Sequence, residues 1–441
     1  MTKDNVLKKK IGFIALGCDK NRVDLEKMIA NIRSAGFEIT ADENEANVII
    51  LNTCAFLQAS REEALGELNA ISKLRKNNLE KVIVTGCLTR YRDMYKKELN
   101  EYADCVVSSK DNVNIVSIIY SLYNQNVDYC FDDSARLLTT PTHIAYLKIA
   151  EGCNNKCAYC AIPNIKGKYV SRPIEDVVKE AKLLASYGVK ELVLVAQDVT
   201  NYGFDLYKKR ELITLCQKLE EIDGIEWIRL QYCYPELVTQ ELIDYVKNSK
   251  KVVKYMDVPL QHVDNDILAR MNRKNTEDQT YEVVHALKDA GISVRSTFIV
   301  GFPGETLADF NKLIKFLKKE QLENVGFFAY SNEVGTQAYS MKNQISEFEK
   351  QRRLKKAQKV QETIYKKLQK KKRGQIFDVI IDQELENNLY LGRTSSNSYM
   401  VDSVITVVAL RKLEAGQIIK ARITGSYGID LIGEEENEKC S

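Results

Sequence analysis

The stretch IAYLKIAEGCNNKCAYC, residues 144 to 160, runs an apolar segment of strand length into three cysteines, Cys153, Cys157 and Cys160, in the pattern C-x3-C-x2-C. Four thiolates close a tetrahedral zinc site, whereas three leave one metal position open. An open position marks a working site rather than a structural one. Soft sulfur ligands select iron-sulfur clusters, Cu(I) or zinc, and three thiolates with a vacancy suit a four-iron four-sulfur cluster.

Downstream, strand-like runs recur at LVLVAQ (192–197), WIRLQY (227–232), YMDVPL (255–260), SVRSTFIVG (293–301) and VGFFAY (325–330), with helical segments between them. Six strand and helix units over residues 144–330 fit a partial (β/α) barrel better than a closed eight-fold one. The cysteine triplet leaves the carboxyl end of the first of these strands, the face on which such barrels do their chemistry.

Upstream the same alternation appears: IGFIAL (11–16), NVIILN (47–52), KVIVTG (81–86) and CVVS (105–108), each followed by a helical pattern. This predicts an open parallel α/β sheet. Cys18, Cys54 and Cys87 come directly after the first three strands, in the contexts LGC, NTC and TGC. Carboxyl ends of neighbouring parallel strands converge on one edge, so three distant thiols can form a second ligand set there. Singly, each reads as a small buried hydrophobe. Cys105, Cys130, Cys216, Cys233 and Cys440 are assigned to the core.

Charge divides the remainder. Lys350 to Arg373 carries twelve basic residues against one acid, with Leu354, Ala357, Val360, Ile364 and Leu368 spaced as one buried helix face. From Gly374 onward six bases face eleven acids, and GQIFDVIID, NLYLGRT, VITVVALRK, GQIIKARITG and SYGIDLIG alternate with turns as a small β-barrel does. The expected domains are therefore 1–130, 139–373 and 374–441. Eleven cysteines with no apolar leader or span predict a cytoplasmic protein whose thiols bind metal, with no membrane partner.

The triplet, with Tyr159 before its last cysteine, resembles the signature of radical S-adenosylmethionine enzymes, in which the cofactor's amino and carboxylate groups take the fourth iron. ALGCDKNRVDLE, LNTC and TGC resemble the amino-terminal domain of methylthiotransferases, where three cysteines hold a second four-iron four-sulfur cluster. The carboxyl-terminal barrel occupies the place of a TRAM domain in that family. AIPNIKGKYVSRP, AQDVTNYG, YCYP, VPLQHVDNDILARMNR and TFIVGFPGET are similar to the branch that methylthiolates the β-carbon of an aspartate in small-ribosomal-subunit protein twelve. Asp264 stands where that branch often has serine.

The resemblance implies two four-iron four-sulfur clusters, S-adenosylmethionine, and a reductant such as flavodoxin or ferredoxin. A transfer-RNA methylthiotransferase acting on a hypermodified adenosine is the alternative, and a non-catalytic iron-sulfur scaffold is a third reading. The acid excess of the last domain suits a basic ribosomal protein more than phosphate, leaving RNA contact as the lesser reading. Around the cofactor, the turn GFPGET offers backbone N–H groups near Gly301, Gly304 and Glu305, and reads equally as a plain strand-to-helix turn. Gln197 and Asp198 end the second strand on the active face, or form a solvated loop. His262 is structural. No side chain is singled out as catalytic.

Overall fold

The computed structural model describes residues 2–436, so Cys440 lies outside the described residues. The chain forms two compact units. The first comprises the chain through Thr139 together with Ala161–Lys168, and the second comprises Thr140–Cys160 and the described chain from Tyr169 onward.

In the first unit β1 (Lys10–Ala15), β2 (Glu38–Thr40), β3 (Val48–Thr53), β4 (Lys81–Gly86) and β5 (Cys105–Val106) form a parallel sheet in the order β2-β1-β3-β4-β5. The central strand β3 is buried along its whole length. Its side chains alternate: Val48 and Ile50 pack with Met28, Ile32 and Ile119, while Ile49 and Leu51 pack with Ala64, Leu68 and Ile71. Helices thus cover both faces, which is why the strand reads as a continuous apolar run. The sequence gives no signal for β2, whose residues EIT are exposed or half-buried at the sheet edge. Cys130 is exposed in the loop that follows helix Ile115–Ser121, not in the core as expected. A cysteine outside the regular elements has no apolar face to join. Cys216 and Cys233 are buried, and Cys105 is half-buried.

The second unit begins with β6 (Ile144–Lys148), then the short antiparallel pair β7 (Ala150–Glu151) and β8 (Val170–Ser171). It continues with β9 (Glu191–Val195), β10 (Trp227–Leu230), β11 (Val252–Asp257), β12 (Ser293–Val300) and β13 (Asn324–Ala329). β6 and β9 to β13 form a six-stranded parallel sheet in chain order that does not close, the partial barrel expected. The long helix Glu347–Lys371 buries Ala357 and Ile364. Leu354, Val360 and Leu368 are only half-buried, and polar residues complete the face: Gln361 donates 2.8 Å to the Leu322 carbonyl.

The chain ends in a closed barrel of β14 (Ile376–Glu386), β15 (Leu389–Thr394), β16 (Ile405–Val408), β17 (Ile418–Tyr427) and β18 (Asp430–Glu435). Val379, Ile381, Tyr390, Val407 and Ile423 fill it. Its ion pairs are mostly internal, an acid and a base of the same barrel, so they leave the acid excess unchanged; of its acids paired with Arg or Lys among the described residues, only Asp402 takes a base outside it. Asp382 pairs with Arg393, Asp402 with Arg295, Asp378 with Lys420, Glu435 with Arg411 and Glu436 with Arg422. No helix among the described residues is long and apolar enough to cross a membrane.

Candidate active site

In the first unit the three thiols sit past the ends of the adjacent strands β1, β3 and β4. Cys18 is the N-cap of helix Asp19–Ser34, Cys54 follows Thr53, and Cys87 opens the short helix Cys87–Tyr91. Cys18 is exposed, Cys54 half-buried, and Cys87 only 6% exposed. Burial pushes the Cys87 thiol up to about 11, with the Lys166 ammonium opposing and the Cys18 and Cys54 thiols adding to the rise. The three sulfurs therefore share one electrostatic neighbourhood.

Glycine permits this approach. At Gly17 (φ +114°) a Cβ would lie 3.0 Å from the Cys54 Cβ, and at Gly86 (φ +92°) 2.4 Å from the Thr53 carbonyl. No side chain fits at Gly86 without moving backbone. Beneath the thiols, Asn21 Nδ2 donates 3.0 Å to the Thr53 carbonyl and lies 3.9 Å from Cys87 Sγ. Asn52 Nδ2 donates 2.8 Å to the Asn21 carbonyl. These bonds join helix Asp19–Ser34 to β3 where the sulfurs meet. Lys166, buried in the helix Ile162–Lys166, also lies 3.8 Å from Asp24.

In the second unit the triplet occupies the loop after β7. The Asn155 N–H donates 3.4 Å to Cys153 Sγ, and burial raises that thiol to about 11 against this donor. Tyr234 Oη lies 2.8 Å from Cys157 Sγ. The Arg273 guanidinium stacks 3.9 Å from the Tyr234 ring centre, with Nη1 3.9 Å from the same sulfur. Backbone bonds from Ala158 N–H to Met271 O, 2.9 Å, and from Ala338 N–H to Ala158 O, 2.8 Å, anchor the loop. Tyr159 packs against the apolar group of Ala158, Ile267, Met271, Phe302 and Tyr330.

The predicted cofactor residues divide. Asp198 is 2% exposed and accepts from Asn155 Nδ2 (3.0 Å), Thr200 Oγ1 (2.5 Å) and the Asn201 N–H (3.3 Å). Burial raises its carboxyl. It thus steadies the residue that donates to Cys153. Gln197 is half-buried, and its Oε1 is buried without a hydrogen-bond partner.

In the GFPGET turn, the Gly301 and Phe302 N–H groups both donate to the Glu305 carboxylate, and the Gly304 N–H donates 2.9 Å to the Asn343 carbonyl. The backbone donors of this turn are engaged within the chain. Glu305 pairs with Arg353 at 3.2 Å; burial lifts its carboxyl to about 7, against Arg353. Positive φ favours glycine at both positions, Gly301 (φ +74°) and Gly304 (φ +82°), and at Gly301 a Cβ would also lie 2.5 Å from Lys350 Cγ and 3.3 Å from its Cα.

His262 is buried and its Nδ1 accepts from the Asp264 N–H at 3.0 Å; burial lowers its pKa to about 4. Asp264 caps helix Asn265–Arg270 and pairs with Lys312 at 2.6 Å, so aspartate does the capping work of a serine and adds an ion pair.

Sequence reasoning missed Lys166, Asn155, Tyr234, Arg273 and Glu236. Tyr234 lies in the quoted motif YCYP and Arg273 ends VPLQHVDNDILARMNR, but spacing alone does not show that they meet at Cys157. Both Glu236 carboxylate oxygens are buried without a partner, and burial raises the group. Glu236 lines a cavity of about 230 Å³ with Asn154, Asn155, Asp198 and Tyr234.

Among the described residues no three His, Cys, Asp or Glu side chains close on a single metal ion. A four-iron cluster asks for something different, one thiolate on each of three irons, so its ligands stand apart around a common centre. Cysteine-only triplets, with hydrogen-bond donors facing sulfur, fit that group.

The profile of the Radical SAM superfamily matches residues 147–317, that of the uncharacterized protein family UPF0004 matches residues 10–108, and that of the TRAM domain matches residues 374–435. Curated relatives named ribosomal protein uS12 methylthiotransferase RimO include one from Thermoanaerobacter sp. (strain X514), 42% identical over 97% of this chain and 100% of its own length. Another, from Clostridioides difficile (strain 630), is 40% identical over 96% of this chain and 98% of its own. Among solved structures, the radical S-adenosylmethionine methyltransferase TsrM from Kitasatospora setae aligns with a TM-score of 0.54 at 12% identity, over 73% of this chain and 75% of that one. That likeness concerns fold alone.

Proposed function

The chain belongs to the radical S-adenosylmethionine methylthiotransferases of ribosomal protein uS12, and from this membership we propose how its residues divide the reaction. It adds a methylthio group to uS12, and the acceptor in this reading is the β-carbon of an aspartate. The observation that carries the reading is the pair of cysteine triplets, one past the ends of the parallel strands β1, β3 and β4 and one in the loop that follows β7. Cys153, Cys157 and Cys160 are assigned to the cluster that takes S-adenosylmethionine, and Cys18, Cys54 and Cys87 to a second four-iron four-sulfur cluster. When bound, these groups supply the electron, the carbon-centred radical, the methyl group and the sulfur.

The protein's own part is orientation and exclusion of water. Asn155, steadied by Asp198, fixes the Cys153 sulfur, and Tyr234 fixes that of Cys157. Tyr159 and Phe302 close the apolar side of the loop. Gln197 and Glu236 carry buried acceptors without partners and are assigned to donor groups of the cofactor. Gly301, Gly304 and Glu305 shape the turn beside Phe302 and act through that packing. A flavodoxin- or ferredoxin-type electron donor and a cytoplasmic setting complete the proposal, with RNA contact secondary.

The test gives reconstituted enzyme equal amounts of uS12 and isopentenylated transfer RNA. The expected product is uS12 heavier by about 46 Da, the exchange of hydrogen for a methylthio group, localised to an aspartate. Methylthiolation of the RNA alone sinks the reading and favours the transfer-RNA alternative.

A further inference from the structure

Arg273 is a buried guanidinium that makes no close ion pair with a carboxylate among the described residues; Glu236 and Asp198 act on it only at longer range. It is 7% exposed, Nη2 donates 3.0 Å to the Pro259 carbonyl, and Nε is buried without a partner. A buried cation without a counter-ion costs several kcal/mol, so native proteins pair such groups. Its nearest anionic ligand is sulfur: Nη1 lies 3.9 Å from Cys157 Sγ, and the guanidinium carbon lies 3.9 Å from the ring centre of Tyr234, whose hydroxyl is 2.8 Å from the same sulfur. A metal-bound thiolate has no proton to give, so Tyr234 must then be the donor. Ring and guanidinium hold each other, and both direct positive charge at one ligand.

We propose that Arg273 and Tyr234 are positioning residues that set the reduction potential of the cluster held by Cys153, Cys157 and Cys160, making it easier to reduce. The inference rests on the assignment of that cluster under the proposed function. Its physical basis is electrostatic. One electron entering the cluster adds one negative charge, and nothing leaves. A fixed cation and a hydrogen bond at a ligand sulfur stabilise the more negative state, and hydrogen bonds to sulfur are among the factors that set iron-sulfur potentials. Neither residue touches the reacting carbon or sulfur atoms in this role.

The experiment is a dithionite potentiometric titration of the full-length reconstituted protein, followed by electron paramagnetic resonance of the signal that changes on adding S-adenosylmethionine. Arg273→Gln is expected to shift the one-electron equilibrium at least tenfold toward the oxidised cluster, about 59 mV more negative. Tyr234→Phe, which keeps the ring, is expected to move it in the same direction by less, and Arg273→Lys to restore part of the loss.

Iron content and signal intensity report separately on whether the cluster is present. A wild type with no cofactor-responsive signal overturns the cluster assignment itself. Full iron with an unchanged potential in both Arg273→Gln and Tyr234→Phe overturns this inference alone. An unchanged potential with weakened cofactor binding also overturns it, and makes Arg273 a contact to the cofactor carboxylate.

Discussion

Cys153, Cys157 and Cys160 lie within one loop, whereas Cys18, Cys54 and Cys87 are spread across the first unit and share a neighbourhood only because β1, β3 and β4 are adjacent strands. The proposed ligand set, three cysteines, is thus reached by two routes. In the loop, spacing alone places the sulfurs, and what the fold adds is a set of donors: the Asn155 N–H, Tyr234 and Arg273. In the sheet, topology places the sulfurs, and the fold must first make room, through Gly17 and Gly86, before it can add Asn21 and Lys166. A site made by spacing tolerates distant change; a site made by topology depends on strand register.

The largest expected effects test whether the two triplets do separate work. Replacing Cys153, Cys157 and Cys160 by alanine is expected to lower iron from about eight to about four per chain and to bring 5′-deoxyadenosine formation to assay background. Production of deoxyadenosine by this variant breaks the comparison outright. Replacing Cys18, Cys54 and Cys87 by alanine is expected to leave about four irons, to keep deoxyadenosine formation measurable, and to remove methylthiolated uS12 from the product spectrum. If that variant still yields product, the first unit is not the source of sulfur.

This contrast also explains what could be read from the sequence. Strand and helix alternation located both parallel sheets because strands buried on both faces read as apolar runs, as Val48–Leu51 does in the fully buried strand Val48–Thr53. The triplet in the loop was legible because its chemistry is local, and the dispersed triplet because each cysteine follows a strand. Tyr234 and Arg273 were not, since the contact between residues 157, 234 and 273 is made by tertiary packing. The GFPGET turn was legible as a turn, but its N–H groups are engaged by Glu305 and Asn343, which spacing does not reveal. The acid excess of the last barrel was countable, yet which acids pair inside it, with Arg393, Arg411, Lys420 and Arg422, and which outside it, Asp402 with Arg295, was not.

A smaller effect tests how the second unit is held. Arg393 is fully buried and joins Asp382 of β14, at 2.8 Å, to Glu191 of β9, at 2.7 Å. Burial pushes the Glu191 carboxyl up, but Arg393 and Arg229 outweigh it and hold the group at about 2. Removing one member of such a network leaves buried charge uncompensated. Arg393→Met is expected to destabilise this unit by roughly 3–5 kcal/mol, read as a lower urea midpoint, while iron at the Cys18, Cys54 and Cys87 site is retained. Loss of iron from both sites would show that the two triplets do not respond independently.

The smallest expected effect uses a difference in composition between the units. The chain has three histidines, His143, His262 and His285, and all fall in the second unit. His262 is fully buried with a folded pKa of about 4, lowered by burial from the ordinary value of 6.5. Because the folded value is depressed, the unfolded chain binds the proton more readily between those two values. Stability is therefore complete above about pH 6.5 and is lost as pH falls toward 4. At pH 5 the linkage amounts to about 2 kcal/mol. His262→Asn keeps an acceptor for the Asp264 N–H and removes the titration. The variant starts less stable at pH 7.5, because it leaves space behind, but is expected to lose about 2 kcal/mol less than wild type between pH 7.5 and 5. Urea midpoints at the two pH values measure this directly. Parallel lines for wild type and variant would mean that His262 does not titrate in this window, and that the acid response of the second unit lies in its carboxylates, as it must in the histidine-free first unit.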